Sequence, residues 1–498
     1  MNYLKYLAMG FLFSSKDAYA GGIDQMLNEN FKPLAQWLSD IIFYSVPVNG
    51  TQLPLIVALL VLCGIFFTFY LRFINLRGFK HALKLVRGDF DDPKDPGEVS
   101  HFQALTTAVS GTVGVGNVAH VAIAISIGGP GATFWMIVAG LLGMSSKFAE
   151  CTLGVKYRNE AADGTVFGGP MFYLEKGLAE LKKPMLGKTL AKYYAVCILI
   201  GTLGIGCMFQ SNQAYAQFVN ITGGEASYFA DKAWMIGLVL AVFTGMVIVG
   251  GIKSIAAVTS KLVPFMAGLY IFTALIVIGA NYEKLGFALH AIVTNAFSPE
   301  GVTGGMIGVL ILGFRRAAFS NEAGIGSASI AHSAVKTKDP VTEGFVAMLE
   351  PFIDTVVICT ITALVIIVTV YEPGLTNAGG MSGVELTSSA FESVIPWFPY
   401  VLTVVVILFA YSTMVAWSYY GLAGWVYLFG EKASTKMIYN LIFCCAVILG
   451  CAVKLDVVIL FSDAMVFAMA FANIIGLYLL APIVKRELAE YWARHHDR

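Results

Sequence analysis

Apolar runs of ~20 residues or more, long enough to cross a bilayer, recur along most of this chain. They lie near 52–71, 101–126, 131–155, 193–220, 233–251, 259–280, 303–333, 341–371, 395–421, 435–454 and 456–484. The pattern predicts an all-α polytopic membrane protein with about eleven transmembrane helices. Ahead of the first run, Ile23, Met26, Leu27, Phe31, Leu34, Leu38 and Ile41 recur at helical spacing against a polar back face. That predicts an amphipathic helix lying on the membrane surface, with Pro33 as a kink. Residues 1–20 read as a signal peptide, with an apolar core from Tyr6 to Phe13 and Ala18-Tyr19-Ala20 as the cleavage site.

Two runs depart from a plain spanning helix. Residues 110–117 read Ser-Gly-Thr-Val-Gly-Val-Gly-Asn in the middle of an uncharged stretch. Glycine weakens helix and lets backbone approach a ligand, and unwound backbone at membrane depth survives only where protein or a cavity surrounds it. The run near 303–333 repeats the interruption with Arg315-Arg316, Phe319-Ser320-Asn321-Glu322 and Gly324-Ile325-Gly326-Ser327. Each break opens a run of five helices, 101–280 and 303–484. One N-terminal helix followed by a five-plus-five inverted repeat, with a discontinuous first helix in each half, is the expected arrangement. Its substrate site is expected at the breaks.

Composition agrees, with 57% hydrophobic and 13% charged residues, which excludes an ordinary soluble domain. Lys+Arg and Asp+Glu both number 32, so net charge points to no nucleic-acid partner. Placement of positive charge is more telling. Stretches 72–100, 147–192, 253–261, 334–340, 431–436 and the tail from Lys485 carry most Lys and Arg. The positive-inside rule makes them cytoplasmic. The domain reading is therefore 1–20 signal peptide, 21–50 periplasmic amphipathic segment, 51–484 transporter domain and 485–498 cytoplasmic tail, with the N-terminus outside. The outer stretch 371–395, rich in Gly, Ser and Thr, reads as a vestibule cap or a solvated linker. The eight cysteines have no metal-ligand spacing and read as small buried apolar residues.

Residues 110–117, with Ile127-Gly-Gly-Pro-Gly131, Gly143-Met-Ser-Ser-Lys-Phe-Ala-Glu150 and Val155-Lys-Tyr-Arg158, resemble the alanine or glycine:cation symporters. So do Phe319-Ser-Asn-Glu-Ala-Gly-Ile-Gly-Ser327, Ala331-His332, Phe352-Ile-Asp-Thr355 and Trp417-Ser-Tyr-Tyr-Gly421. The resemblance runs from about residue 52 to residue 430 and implies the five-plus-five inverted-repeat transporter fold. It implies sodium-coupled uptake of a small neutral amino acid, alanine or glycine, across a bacterial inner membrane. A proton-coupled or broader-specificity carrier of the same fold is the alternative. Apart from Na+ as coupling ion no cofactor is implied, and no obligatory protein partner.

Carried over by resemblance, Gly114, Val115 and Gly116 offer backbone N–H groups to the substrate carboxylate. The Ser110 and Val113 carbonyls and the Ser412 and Thr413 hydroxyls surround Na+. Asn117 and the Thr112 carbonyl form a second cation site and border the substrate. Phe319, Ser320 and Asn321 line the second break; Gln210 and Trp417 complete the pocket, with Trp417 limiting side-chain size. Three positions depart from the family pattern: His120 in place of a glycine, Arg316-Ala-Ala in place of a basic-Gly pair, and Leu422 in place of a glutamate. Among intramembrane carboxylates, Asp354 and Glu322 are candidates for binding a cation or a proton. A channel would need a charge ring or symmetric pore, and an enzyme would need a dyad or metal ligands at depth. The sequence offers neither.

Overall fold

A computed structural model describes residues 23–48, 51–92, 94–160, 165–298, 305–371 and 383–495. The predicted signal peptide lies outside these. The amphipathic segment is a helix, Ile23–Ile42, with Pro33 inside it. It lies along the last helix, where Phe31 meets Phe461 and Phe43 meets Phe467 ring to ring.

The first interrupted run folds as two helices, α1 (His101–Thr112) and α2 (Val115–Gly128), bent by 41° at their junction. The start of α1 is fixed by a capping box in which Ser100 and Gln103 exchange hydrogen bonds. Glycine at 114 and 116 and the extended Val113 and Gly114 end one helix and allow the next. The second interrupted run forms α5 (Gly305–Asn321) and α6 (Ala328–His332). Glu322, Gly324 and Gly326 between them all take positive φ, +56°, +89° and +92°. Glycine tolerates this conformation, but at Glu322 it costs ~1–3 kcal/mol.

Around the breaks stand α3 (Gly131–Lys156), α4 (Phe209–Ile221), α7 (Pro340–Ala347), α8 (Val384–Glu392), α9 (Phe398–Phe429) and α10 (Leu455–His495). A π turn at Thr202–Met208 leads into α4, and another at Phe352–Cys359 follows α7. Neither is predicted by hydrophobic period, and π turns concentrate at functional sites.

Among the described residues seven helices are long and apolar enough to span a membrane, and the bent α1–α2 pair adds an eighth. Leu55–Tyr70 and Ala233–Ile248 are apolar but only 16 residues long, and α5 carries Arg315 and Arg316. Length and hydropathy therefore do not establish the expected eleven. Two small hairpins, 45–48 with 51–54 and 159–160 with 166–167, depart from an all-helical chain without forming a closed sheet. The stretch expected as an outer loop contains the buried helix α8, whose Thr387 hydroxyl donates to the Val118 carbonyl of α2 at 2.9 Å.

The Lys/Arg-bearing stretches meet at one end of the molecule. Lys156 pairs with Glu487 at 2.7 Å, Arg494 with Asp339 at 2.7 Å and Lys338 with Asp92 at 3.9 Å. Arg158 donates to the carbonyls of Pro96, Ser333, Val335 and Thr337. At the same end Glu343 of α7 joins His101 of α1 to His332 of α6, so one buried carboxyl ties together half-helices from both breaks.

Candidate functional site

The helix boundary at the first break creates opposite partial charges. The last carbonyls of α1 and the first N–H groups of α2 lack intrahelical partners, and the dipoles favour a cation at the former and an anion at the latter. Side chains of α9 meet the α1 carbonyls. The Thr413 hydroxyl donates to the Ser110 carbonyl at 2.9 Å, and Trp417 Nε1 donates to the Gly111 carbonyl at 3.1 Å. The Ser110 hydroxyl returns a bond to the Ser412 carbonyl at 2.8 Å. Ser110, Ser412 and Thr413 are thus brought together, all buried. The Ser412 hydroxyl itself points into its own helix, donating to the Phe409 carbonyl at 3.0 Å. Val113 is the residue at which α1 stops. Carbonyls and hydroxyls without thiolate or imidazole are the donor set of a hard cation.

At the start of α2 the arrangement differs from the expected clamp. The Gly114 N–H is taken by Asn117 Oδ1 at 2.8 Å. A Cβ at Gly114 would lie 2.5 Å from Thr413 Oγ1 and 3.5 Å from Gln210 Oε1, so only glycine fits. At Gly116 a Cβ would meet nothing within 4 Å. Open space therefore borders Gly116, and Val115 and Gly116 carry the N–H groups that α2 leaves unpaired. Gln210 Nε2 donates to the Ile205 carbonyl of the π turn at 3.2 Å, and its buried Oε1, beside the break, has no partner among the described residues. The Thr112 hydroxyl bonds back to the Ala108 and Val109 carbonyls.

Asn117 links the two breaks. Its Nδ2 donates to Asp354 Oδ1 at 2.6 Å and lies 3.3 Å from Ser320 Oγ. The Thr355 hydroxyl donates to Asp354 Oδ2 at 2.7 Å and accepts from Asn321 Nδ2 at 2.9 Å. Asn321 Oδ1 in turn accepts from the Ala323 N–H at 3.0 Å. Asp354 is fully buried and makes no ion pair among the described residues. The second π turn thus presents a carboxyl and a hydroxyl to both breaks. Thr355 and Cys359, which also contacts Asn117 and Ser320, were not identifiable as site residues from sequence. Their only signal was the adjacency of Thr355 to Asp354 within a recognisable motif.

Phe319 is buried against His120, with ring centroids 3.9 Å apart, and against Phe209. Both His120 ring nitrogens are buried without a hydrogen-bond partner among the described residues. Trp417 is fully buried, one turn before the break rather than at it. It packs on Tyr420, and a Cβ at Gly206 would lie 2.5 Å from its own.

A broken-helix bundle with converging oxygens at one half-helix end and free N–H groups at the other defines a secondary transporter. The sodium:alanine symporter family profile matches residues 39–498. The chain belongs to that family, and it is a transporter rather than an enzyme. It is 40% identical over 437 residues to the sodium/alanine symporter AgcS of Methanococcus maripaludis, covering 87% of this chain and 93% of that protein. It is 33% identical to the probable sodium/glutamine symporter GlnT of Bacillus subtilis, covering 88% and 87%. The crystal structure of MhsT in complex with L-phenylalanine aligns with a TM-score of 0.54 at 16% identity, over 78% of this chain and 98% of that one. That likeness shows a shared fold.

Proposed function

We propose that this protein is a symporter that couples inward sodium movement to uptake of a small neutral amino acid, alanine or glycine, by alternating access. The observation that carries the reading is the α1–α2 junction. There the Thr413 hydroxyl meets the Ser110 carbonyl and the Ser110 hydroxyl meets the Ser412 carbonyl at one side, and the Val115 and Gly116 N–H groups border open space at the other. A cation and a carboxylate fit these two ends. Sodium sits among the Ser110 and Val113 carbonyls and the Ser412 and Thr413 hydroxyls. Asn117, the Thr112 carbonyl and Asp354 serve a second cation. Gln210, Phe319, Ser320 and Asn321 wall the substrate.

The membrane is a bacterial inner membrane, with the Lys/Arg-bearing end of the molecule in the cytoplasm. Saturable uptake of labelled alanine into proteoliposomes, driven by an inward sodium gradient and absent without sodium, is the expected result. Uptake that follows a proton gradient and ignores sodium would reject the coupling. A Lys80→Cys variant in a cysteine-free background is expected to resist an impermeant reagent in intact cells.

One observation favours a second, broader specificity. A buried imidazole calls for hydrogen-bond partners, and His120, against Phe319, has none among the described residues. A polar substrate side chain would supply them. Unlabelled glutamine is then expected to compete with alanine in the native protein and to lose potency by about tenfold in His120→Gly, as for one lost hydrogen bond in a buried site. Equal competition in both proteins would assign His120 to packing.

A further inference from the structure

The Lys/Arg-side ends of the two breaks meet at one carboxyl. His101 is the first residue of α1, His332 the last of α6, and Glu343 lies in the first turn of α7. Each is at most 3% exposed. Glu343 Oε1 pairs with His101 Nδ1, and Glu343 Oε2 pairs with His332 Nδ1. Both carboxyl oxygens are thus engaged, one by each interrupted run.

An ionised carboxylate only accepts hydrogen bonds, so both Nδ1 atoms carry hydrogen. With two neutral imidazoles the group would bury an uncompensated negative charge, which is strongly unfavourable. One further proton cancels it. Imidazole is a stronger base than a carboxylate, so that proton sits on a ring. His101 is the ring placed to carry it. Its Nε2 lies 3.7 Å from Asp91 Oδ1, so both of its nitrogens face carboxylate oxygens. His332 Nε2 is buried without a hydrogen-bond partner among the described residues. A proton there would bury a charged N–H with no acceptor, whereas the neutral ring strands only a lone pair.

The proton on His101 also has a way out. A cavity of about 310 Å³ lies against His101 and opens to solvent past the exposed Asp89, Asp91 and Lys336. Other charged and titratable groups around the triad have partners of their own. Asp95 pairs with Lys338, Asp339 with Arg494 at 2.7 Å and Glu98 with Lys253 at 3.9 Å. His81, on the helix Phe79–Arg87, bonds to the Tyr491 hydroxyl of α10 at 2.6 Å, and His495 Nδ1 lies 3.0 Å from the Tyr491 carbonyl. Arg158, which donates to the Ser333 carbonyl beside His332, pairs with Glu160 at 2.9 Å. From α3 come Cys151 and Lys147, the latter paired with Glu350 at 3.1 Å.

We propose that His101 is a proton-binding site reached through this cavity, and that its proton closes a latch. The imidazolium, Glu343 and His332 hold the ends of α1 and α6 together on α7. When the proton passes from Nε2 to solvent, Glu343 is left ionised between two neutral rings, and the half-helices part to let water reach it. Acid on the cavity side closes this end of the carrier, and alkali frees it, whatever the cargo.

The test needs no transport, so its outcome is independent of whether the alanine-symport reading holds. Ser333→Cys, at a buried position next to His332, serves as a single reporter in a cysteine-free background. Its labelling by a thiol reagent is followed in detergent at fixed sodium concentration. Rates are divided by those of Lys80→Cys, at an exposed position, to remove the reagent's own pH dependence. Between about pH 5 and about pH 9, which spans the titration of imidazole, the ratio is expected to rise at least about tenfold, as for one charge-assisted hydrogen bond lost in a buried site. With the same reporter, His101→Gln is expected to label fast at every pH, and His101→Lys, with its fixed charge, slowly at every pH. A native ratio that does not change with pH, or that changes equally in His101→Gln, would overturn the proposal. Should the residue 101 variants not fold, Asp91→Asn decides. Removing that exposed carboxylate weakens proton binding at His101 and is expected to move the rise to lower pH; a rise at unaltered pH overturns the proposal equally.

Discussion

The two breaks solve the same problem with different materials. The first, at 113–114, contains no charge, and its half-helix ends are served by hydroxyls, an amide and an indole from α2 and α9. The second, at 322–327, contains a buried carboxyl, Glu322, and follows a helix that carries buried charge. Arg315 and Arg316 of α5 share Asp463, with Nη2 of Arg315 2.6 Å from Oδ2. Elsewhere in the buried interior Lys147 pairs with Glu350 at 3.1 Å. An uncharged break leaves backbone dipoles free to face a ligand, whereas a break held by buried charge has an equilibrium that answers to whatever changes that charge. The first therefore reads as the place of binding and the second as the element that moves with it, joined through Asn117 and Asp354.

Cutting that joint is the most severe way to break the comparison. Asp354→Ala removes the carboxyl that accepts from both the Asn117 amide and the Thr355 hydroxyl, leaving the amide the residue 354 main-chain carbonyl at 3.1 Å and the hydroxyl no acceptor among the described residues; each bond lost in a buried site costs ~1–3 kcal/mol. Alanine uptake is expected to fall by at least about thirtyfold, since 1.4 kcal/mol is a factor of ten. Uptake within about threefold of native, in correctly inserted protein, would show that the breaks work without this link.

How much of this could be read from sequence depends on distance along the chain. Glycines and polar residues inside an apolar run mark both breaks, and the α1–α2 junction falls within the stretch 110–117. Lys and Arg placement anticipates which loops gather at one end. The partner of Asn117 was not legible, because Asp354 is 237 residues away and local pattern carries no information about that separation. The π turns were hidden too: Phe352–Cys359 is β-branched and apolar in the main, and fits an ordinary helix equally well. Helix α8 was missed because Gly, Ser and Thr around it resemble linker, although Val384, Leu386 and Phe391 are buried. Gly114 was expected to hold the carboxylate, and competition from its own helix's Asn117 is a capping interaction that sequence spacing permits but does not decide.

A milder change sharpens the contrast within the first break. Thr413 reaches across to Ser110, whereas the Ser412 hydroxyl stays on its own helix. Losing one hydroxyl from a buried polar site costs ~1–3 kcal/mol. Thr413→Ala is therefore expected to raise the sodium concentration for half-maximal uptake by at least about fivefold, and Ser412→Ala by less. Equal effects from the two variants would mean that both hydroxyls turn toward the cation when it binds.

The smallest expected effect concerns Trp417. By resemblance this indole limits substrate size, yet its Nε1 caps the Gly111 carbonyl and its ring lies against Tyr420 and Gly206, one turn away from the open space at Gly116. The two roles separate by substitution. Trp417→Phe keeps most of the apolar contact and removes only the hydrogen bond, leaving a helix-end carbonyl without that partner. A neutral hydrogen bond contributes ~0.5–1.5 kcal/mol net, so alanine and sodium affinities are expected to weaken together by about two- to tenfold. Leucine is expected to remain a poor competitor, because the walls proposed for the substrate, Gln210, Phe319, Ser320 and Asn321, are unchanged. If leucine instead competes well while sodium affinity holds, the indole reaches the substrate in another conformation of the carrier, and the first break is then walled by α9 as well as capped by it.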